Sequence, residues 1–272
     1  GAPSGSSEFY MYDRVRDTVY LITTDSIPGI RDLPDYLNDY PKQLAERKKK
    51  NAPRRTMVFG PSWSPDGTYA VVEIRSDDNK DRWLMLIDTE TADLKLINRQ
   101  RDEAWIQGPG INFSRTGWID EHTFWFQSEA SGYSHIYLAD VKTGSVRQLT
   151  SGNYEVQQAQ LSNDKKTFYI VTNEVHPGEQ HFYHLNIADG RKARITTMAG
   201  ANDVNISPDE KMLAVRYSYS TKPWELYLQE NKAGSKAVQV TDKAQSAEFR
   251  SYAWQDPEII RFTARDGATV YA

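Results

Sequence analysis

The chain has 272 residues, of which 39% are hydrophobic and 12% aromatic, enough to bury a substantial core in one large or two ordinary domains. Lys and Arg number 33 against 37 Asp and Glu, a formal net charge of −4 that argues against a nucleic-acid or anionic-membrane partner. With no cysteine there is neither a disulfide framework nor a thiolate metal site, and no apolar run approaches the roughly 20 residues that cross a bilayer.

The N-terminus GAPSGSSEFY has no basic or apolar signal segment and no initiator Met. Strand-like sequence begins almost at once, and the last residues stop in what reads as mid-strand. The expectation is a piece of a longer protein. The first element, EFYMYDRVRDTVYLIT (8–23), is an alternating strand, a polar turn and a second strand. It is followed by an insertion at about 25–55, much longer than any other connection. Within it Pro41 sits in the first turn of a short helix, with Leu44 on one face and the run Arg47 to Lys50 in solvent. The basic run reads more simply as a solvated face than as a docking patch.

The strand–turn–strand unit then recurs. RWLMLIDTETADLKLI (82–97), HIYLADVKTGSVRQLT (135–150), QHFYHLNIADGRKARIT (180–196) and WELYLQENKAGSKAVQVT (224–241) share it. Upstream of each lies a second signature, an apolar residue, a Ser, a tight turn and a β-rich run: WSPDGTYAVVEI (63–74), FSRTGWIDEHTFWFQS (113–128), LSNDKKTFYIVT (161–172) and ISPDEKMLAVRYS (206–218). The opening serines, Ser64, Ser114, Ser162 and Ser207, are spaced by 50, 48 and 45 residues. Four strands every 40–50 residues or so is the period of a β-propeller blade. The expected fold is all-β: a propeller of four-stranded antiparallel blades at 57–105, 106–156, 157–203 and 204–254, preceded by a half-blade. Closed propellers mostly hold about four to eight blades, so a leading half-blade implies an incomplete ring. Uncovered apolar faces are expected at Phe9, Tyr10, Tyr20 and Leu21, and at Leu213, Val215, Tyr217, Tyr227 and Leu228. Such faces would favour self-association into a homo-oligomer or docking onto the rest of the protein.

Chemistry is harder to find. No G-x-S-x-G elbow, HExxH, phosphate loop or EF-hand spacing occurs. The repeated serines fit turn-capping roles. His181 and His184 lie three apart in a strand, hence on opposite faces, which suits satisfied or surface histidines better than a metal pair. Asp77/Asp78 and Asp102/Glu103 are adjacent acids in loops, without the geometry acid–base catalysis needs. Such a pair can instead hold a cationic group such as a substrate ammonium, and in RDEAW (101–105) Trp105 adds an apolar wall. Neither a metal nor a cofactor is implied.

The stretches QSEASGYSHIYLADVKTGSVRQLTSGNYEV (127–156) and YIVTNEVHPGEQHFYHLNI (169–187) resemble the propeller domain of dipeptidyl peptidase IV-like serine peptidases of the prolyl oligopeptidase family. The likeness runs from about Phe9 to the end of the chain. It implies that residues 1–254 are a propeller that walls off the active-site cavity and restricts access to short or unstructured peptides. It also implies that EIIRFTARDGATVYA begins, at 255–272, the crossing into an α/β-hydrolase domain carrying the Ser, Asp and His, which this chain lacks. The partner so implied is a peptide substrate, and the location periplasmic or secreted in a bacterium. By the same analogy the loop opening the blade after residue 100 faces the cavity, making Arg101, Asp102, Glu103 and Trp105 the candidate cavity residues. One departure matters. The family's dipeptidyl peptidases carry a Glu-Glu motif for the substrate amino terminus shortly before a W-S-P-x-G turn, and NAPRRTMVFGPS (51–62) has no Glu. Either that motif lies in blades outside this chain, or the enzyme is not an aminopeptidase of that type. The alternative is a non-catalytic interaction propeller of the bacterial envelope.

Overall fold

A computed structural model describes residues 8–111 and 115–272. The strands form six antiparallel sheets. Four have four strands each, in the orders β3–β4–β5–β6, β10–β9–β8–β7, β11–β12–β13–β14 and β15–β16–β17–β18, and two are hairpins, β1–β2 and β19–β20. The first hairpin is β1 (Phe9–Asp13) and β2 (Thr18–Ile22). The first blade is β3 (Thr56–Trp63), β4 (Ala70–Ser76), β5 (Asp81–Ile87) and β6 (Leu94–Arg101). The second is β7 (Gly117–Trp118), β8 (Thr123–Ser128), β9 (His135–Asp140) and β10 (Ser145–Gln148). The third is β11 (Val156–Leu161), β12 (Thr167–Thr172), β13 (His181–Asn186) and β14 (Lys192–Arg194). The fourth is β15 (Ala201–Ile206), β16 (Met212–Tyr219), β17 (Lys222–Glu230) and β18 (Val238–Gln239). Four blades and a leading half-blade are what the repeat predicts.

The repeat is held by repeated hydrogen bonds. In the first turn type, the Ser hydroxyl donates to the Asp two residues on and accepts from the backbone N–H five residues on. For Ser64 the distances are 2.6 Å to Asp66 and 2.9 Å from Tyr69. Ser162 repeats this with Asp164 (2.7 Å) and Thr167 (3.0 Å), and Ser207 with Asp209 (2.6 Å) and Met212 (2.9 Å). The hydroxyls are therefore spent on turns, as expected, while Ser114 lies outside the described residues. In the second turn type, the last residue of the third strand caps two backbone N–H groups: Asp140 takes those of Lys142 (3.0 Å) and Thr143 (2.8 Å). Asn186 does the same for Ala188 and Asp189. These Asx turns are what Asp and Asn supply and Ala cannot. A third element repeats too. Thr150, Thr196 and Thr241 each accept, through Oγ1, the N–H of Ile136, Phe182 and Leu226.

The chain divides into two compact units, 1–161 and 162–272. In the first, β4 and β5 bury both faces. Ala70, Val72, Ile74, Trp83, Met85 and Ile87 form one core with Ile22, Ile27 and Ile30, against which Phe9, Met11 and Tyr20 pack. On the other face Val71 and Leu84 meet Trp118, Phe124, Phe126 and Ala139 of the second blade. In the second unit, Leu213, Val215 and Tyr217 pack on Tyr169, Val171, Phe182 and Ile195.

This corrects part of the expectation about uncovered faces. Leu213, Val215 and Tyr217 are buried, because the period-2 alternation of β16 aims them at the neighbouring sheet, and Phe9 and Tyr20 are likewise packed. The exposed sides carry Tyr10, Tyr12, Val19 and Leu21 at the first hairpin and Trp224 and Leu228 in the fourth blade.

The insertion contains a short 3-10 turn (Asp35–Asp39) and α1 (Pro41–Lys50), with Pro41 opening the helix as predicted. Its C-cap Asn51 is left-handed (φ 44°), a conformation Asn tolerates better than most residues. At the other end, α2 (Ala247–Ser251) is capped by Ser246, which accepts from Phe249. The last hairpin pairs β19 (Arg261–Thr263) with β20 (Thr269–Tyr271) across the Asp-Gly turn, where Gly267 has φ 87°.

Candidate functional site

Residues 101–105 leave the end of β6 and are fixed from below. Asp81, with a fully buried side chain, receives three arginines: Arg54 and Arg101 at 2.6 Å and Arg99 at 2.7 Å. Arg54 also donates to the carbonyls of Gly29 (2.9 Å) and Ile30 (3.2 Å), and Arg99 reaches Asp32 at 2.6 Å. Both guanidiniums lie over the Trp83 ring, 5.5 and 5.8 Å from its centroid, and the Trp83 indole donates to Pro28 O at 2.8 Å. The insertion is thereby clamped to the first blade. The sequence reading missed Asp81 altogether; its only signal was an acid opening a strand whose partner strand ends in R-Q-R.

Of the four predicted residues, the structure brings Arg101 and Glu103 together and separates the other two. Arg101 Nη2 lies 2.5 Å from Glu103 Oε1, and Glu103 Oε2 accepts the N–H of Asp35 at 2.9 Å. The Asp35 amide and then Arg101 hold Glu103 below the ordinary carboxylate range. Burial works against the charge of Arg101, but Asp81 and Glu103 outweigh it and raise its pKa. Lys80 reaches the carbonyls of Glu103 and Ala104, pinning the loop from the β4–β5 turn. Asp102 turns back into its own loop and accepts from Ala104 N at 2.6 Å. Trp105 is 62% exposed, while its neighbour Ile106 is buried.

Beyond this loop sits Glu129. Burial, then the charge of Glu155, and more weakly Asp102, push its carboxyl above the ordinary value. Glu155 accepts the N–H of Ser134 at 2.6 Å, and Ser134 Oγ donates to Pro109 O at 2.7 Å. Gln127, fully buried, donates to Ser134 Oγ (3.1 Å) and Val156 O (2.7 Å). His135 places its ring nitrogens 3.0 Å from Thr150 Oγ1 and 3.0 Å from Gly152 O. The long motif at 127–156 is therefore a hydrogen-bond frame that holds the 106–110 turn beside Glu129.

One charged cluster was illegible in the sequence. Glu73 and Arg82, both buried, pair at 2.7 Å between the first and second blades, with Arg75 on Glu73 at 2.6 Å and Arg82 donating to Gln127 O at 3.1 Å. In the second unit, His181 is buried with Nε2 at 2.7 Å from Glu179, and His184 Nε2 lies 2.6 Å from Asn231. Both histidines are satisfied, as their strand positions suggest. Asp120, Glu121 and His122 bring ligand-type atoms within 4.8 Å of one another, but the Asp120 carboxylate is already occupied by the N–H groups of His122 and Thr123.

Residues 48–224 match the family described as the dipeptidyl peptidase IV N-terminal region, most of the chain. The chain belongs to this family. Among curated proteins it is similar to dipeptidyl peptidase 4 of Trichophyton equinum, 29% identical over 140 residues, and to that of Trichophyton rubrum, 28% identical over 140 residues. Each match covers 49% of this chain and 18% of the relative, so only a small part of those proteins' length is represented. Among solved structures, the Porphyromonas gingivalis dipeptidyl peptidase 4 matches with a TM-score of 0.62 at 17% identity, over 97% of this chain and 34% of that one. At that identity the likeness concerns the fold. The blades described above are thus those of a dipeptidyl peptidase IV N-terminal region.

Proposed function

We propose that this chain is the substrate-gating, cavity-forming propeller domain of a serine exopeptidase or oligopeptidase. The observation that carries the reading is the family match at 48–224, which contains the motif run at 127–187 and all four candidate residues. In this reading residues 1–254 form the propeller, 255–272 lead toward a hydrolase domain, and the nucleophile lies in further chain. The 101–105 loop faces the cavity. Its support is physical: a clamped base at Arg101 and Glu103, an exposed Trp105, and a negative neighbourhood at Asp102, Glu129 and Glu155 suited to a peptide ammonium group.

The test uses the full-length protein with chromogenic Xaa-Pro dipeptides. Turnover abolished by a serine-directed inhibitor is expected, while the 272-residue chain alone gives background. No turnover by the full-length protein would overturn the reading in favour of a non-catalytic interaction propeller.

A further inference from the structure

The insertion and the β4–β5 turn enclose a cleft of about 550 Å³, in the size range of small-ligand sites. One wall is apolar, built by Leu33, Pro34 and Tyr36, with Tyr36 half-exposed. The other is cationic. Arg47 and Lys50 project from the last helical turn of α1, and Arg55 from the segment leading into β3. Among the described residues no side-chain hydrogen bond or ion pair engages any of these three. This sets them apart from Arg54 in the same cleft, which is committed to Asp81 and Asp78. Two acids also line the space, and since Asp78 is the one held by Arg54, three free cations face Asp77 alone.

A protein of net charge −4 that gathers three unpaired cations around a concave apolar wall has built a local complement to a ligand that is both anionic and apolar. We propose that this cleft binds a short acidic peptide segment. Its carboxylates would lie against Arg47, Lys50 and Arg55, and an apolar side chain would rest on Leu33, Pro34 and Tyr36. Arg55 offers a planar fork for bidentate carboxylate contact and Lys50 a mobile point charge. A lone inorganic anion would leave the apolar wall unused, and a nucleic acid is made an outcome of the test by the oligonucleotide arm. The proposal does not depend on whether the full-length protein is a peptidase.

The test is calorimetric titration of the full-length protein, carrying a serine-directed inhibitor, with capped Asp-Glu-Leu-Glu-Asp and its neutral counterpart Asn-Gln-Leu-Gln-Asn. The acidic peptide should bind saturably, and the neutral one about tenfold or more weaker, with affinity falling as salt rises. The R47Q/K50Q/R55Q variant should lose a similar factor while keeping the wild-type melting temperature, since its altered side chains have no partners to lose. Y36A should weaken the acidic peptide but leave binding of the same peptide with Gly in place of Leu unchanged. Equal binding by wild type and triple variant, no saturable binding, or displacement of the peptide by equimolar inorganic phosphate or a short oligonucleotide would overturn the proposal.

Discussion

The first and fourth blades carry the same strand order and turn chemistry, yet they are buried differently. In the first, β4 and β5 are covered on both faces, and almost every residue of the two strands is buried, Glu73, Asp81 and Arg82 included. In the fourth, β16 alternates: Leu213, Val215 and Tyr217 are buried, while Met212 and Arg216 are exposed. Each blade has solved its charges accordingly. The first pairs Glu73 with Arg82 where no water reaches. The fourth sets Arg216 beside Asp203 at 2.7 Å on an exposed face and lays it over the half-exposed Trp224. A blade sequence thus reports its neighbours as well as its own fold. A continuous apolar run means two covered faces, and strict alternation means one.

This contrast can be broken most sharply at the buried pair. E73Q should destabilise the chain by about 3–5 kcal/mol in denaturant unfolding, because it leaves Arg82 charged and dry. E73L/R82M should recover much of that loss. If E73Q costs no more than D203N, expected at about 0–1 kcal/mol, the two blades do not differ as described.

W83A, which empties the centre of the same blade and unseats the Arg54 and Arg99 stacking, should cost about 3–5 kcal/mol. It should also open the insertion, read as new proteolytic cleavage between residues 24 and 55. Within the fourth blade, L213A should cost about 2–5 kcal/mol and L228A within about 0.5 kcal/mol. Equal effects would mean that the β16–β17 sheet is not covered on one side only.

Acid should distinguish the regions too. Burial opposes the charge of Glu73, but Arg82 and Arg75 outweigh it and lower its pKa. A carboxyl depressed in the folded state contributes stability that is complete above its unfolded value, about 4.3, and is lost as pH falls through the lower folded value. Wild type should therefore lose stability relative to E73L/R82M over that acidic interval, followed by melting temperature against pH. Glu129 has the opposite sign. Its raised pKa means that ionisation disfavours the folded state, so E129Q should be slightly stabilising at neutral pH, with the gain vanishing on acidification.

How much of this the sequence disclosed follows from the range of the interactions. The Ser and Asx turns close over two to five residues, so the repeat and its period were legible from Ser64, Ser114, Ser162 and Ser207 and the strand–turn–strand runs between them. Blade number and the helix opened by Pro41 followed. The Asp81 cluster was not legible, because Arg54 and Arg101 reach it across 27 and 20 positions and only the folded sheet brings them together. The same holds for Glu73 and Arg82, and for Glu129 with Glu155. At 101–105 the sequence picked out a charged loop with an aromatic beside it. It could not tell that Glu103 is occupied at both oxygens, by Arg101 and the Asp35 amide, or that burial and Glu155 push the Glu129 carboxyl above its ordinary value.

The gating role is tested most directly by offering the full-length protein one Xaa-Pro sequence in two forms, as a free peptide and grafted into a rigid loop of a folded protein. The account predicts rapid cleavage of the free peptide, none of the grafted one, and a raised KM for the free peptide in W105A without loss of melting temperature. Equal cleavage of both forms would contradict it.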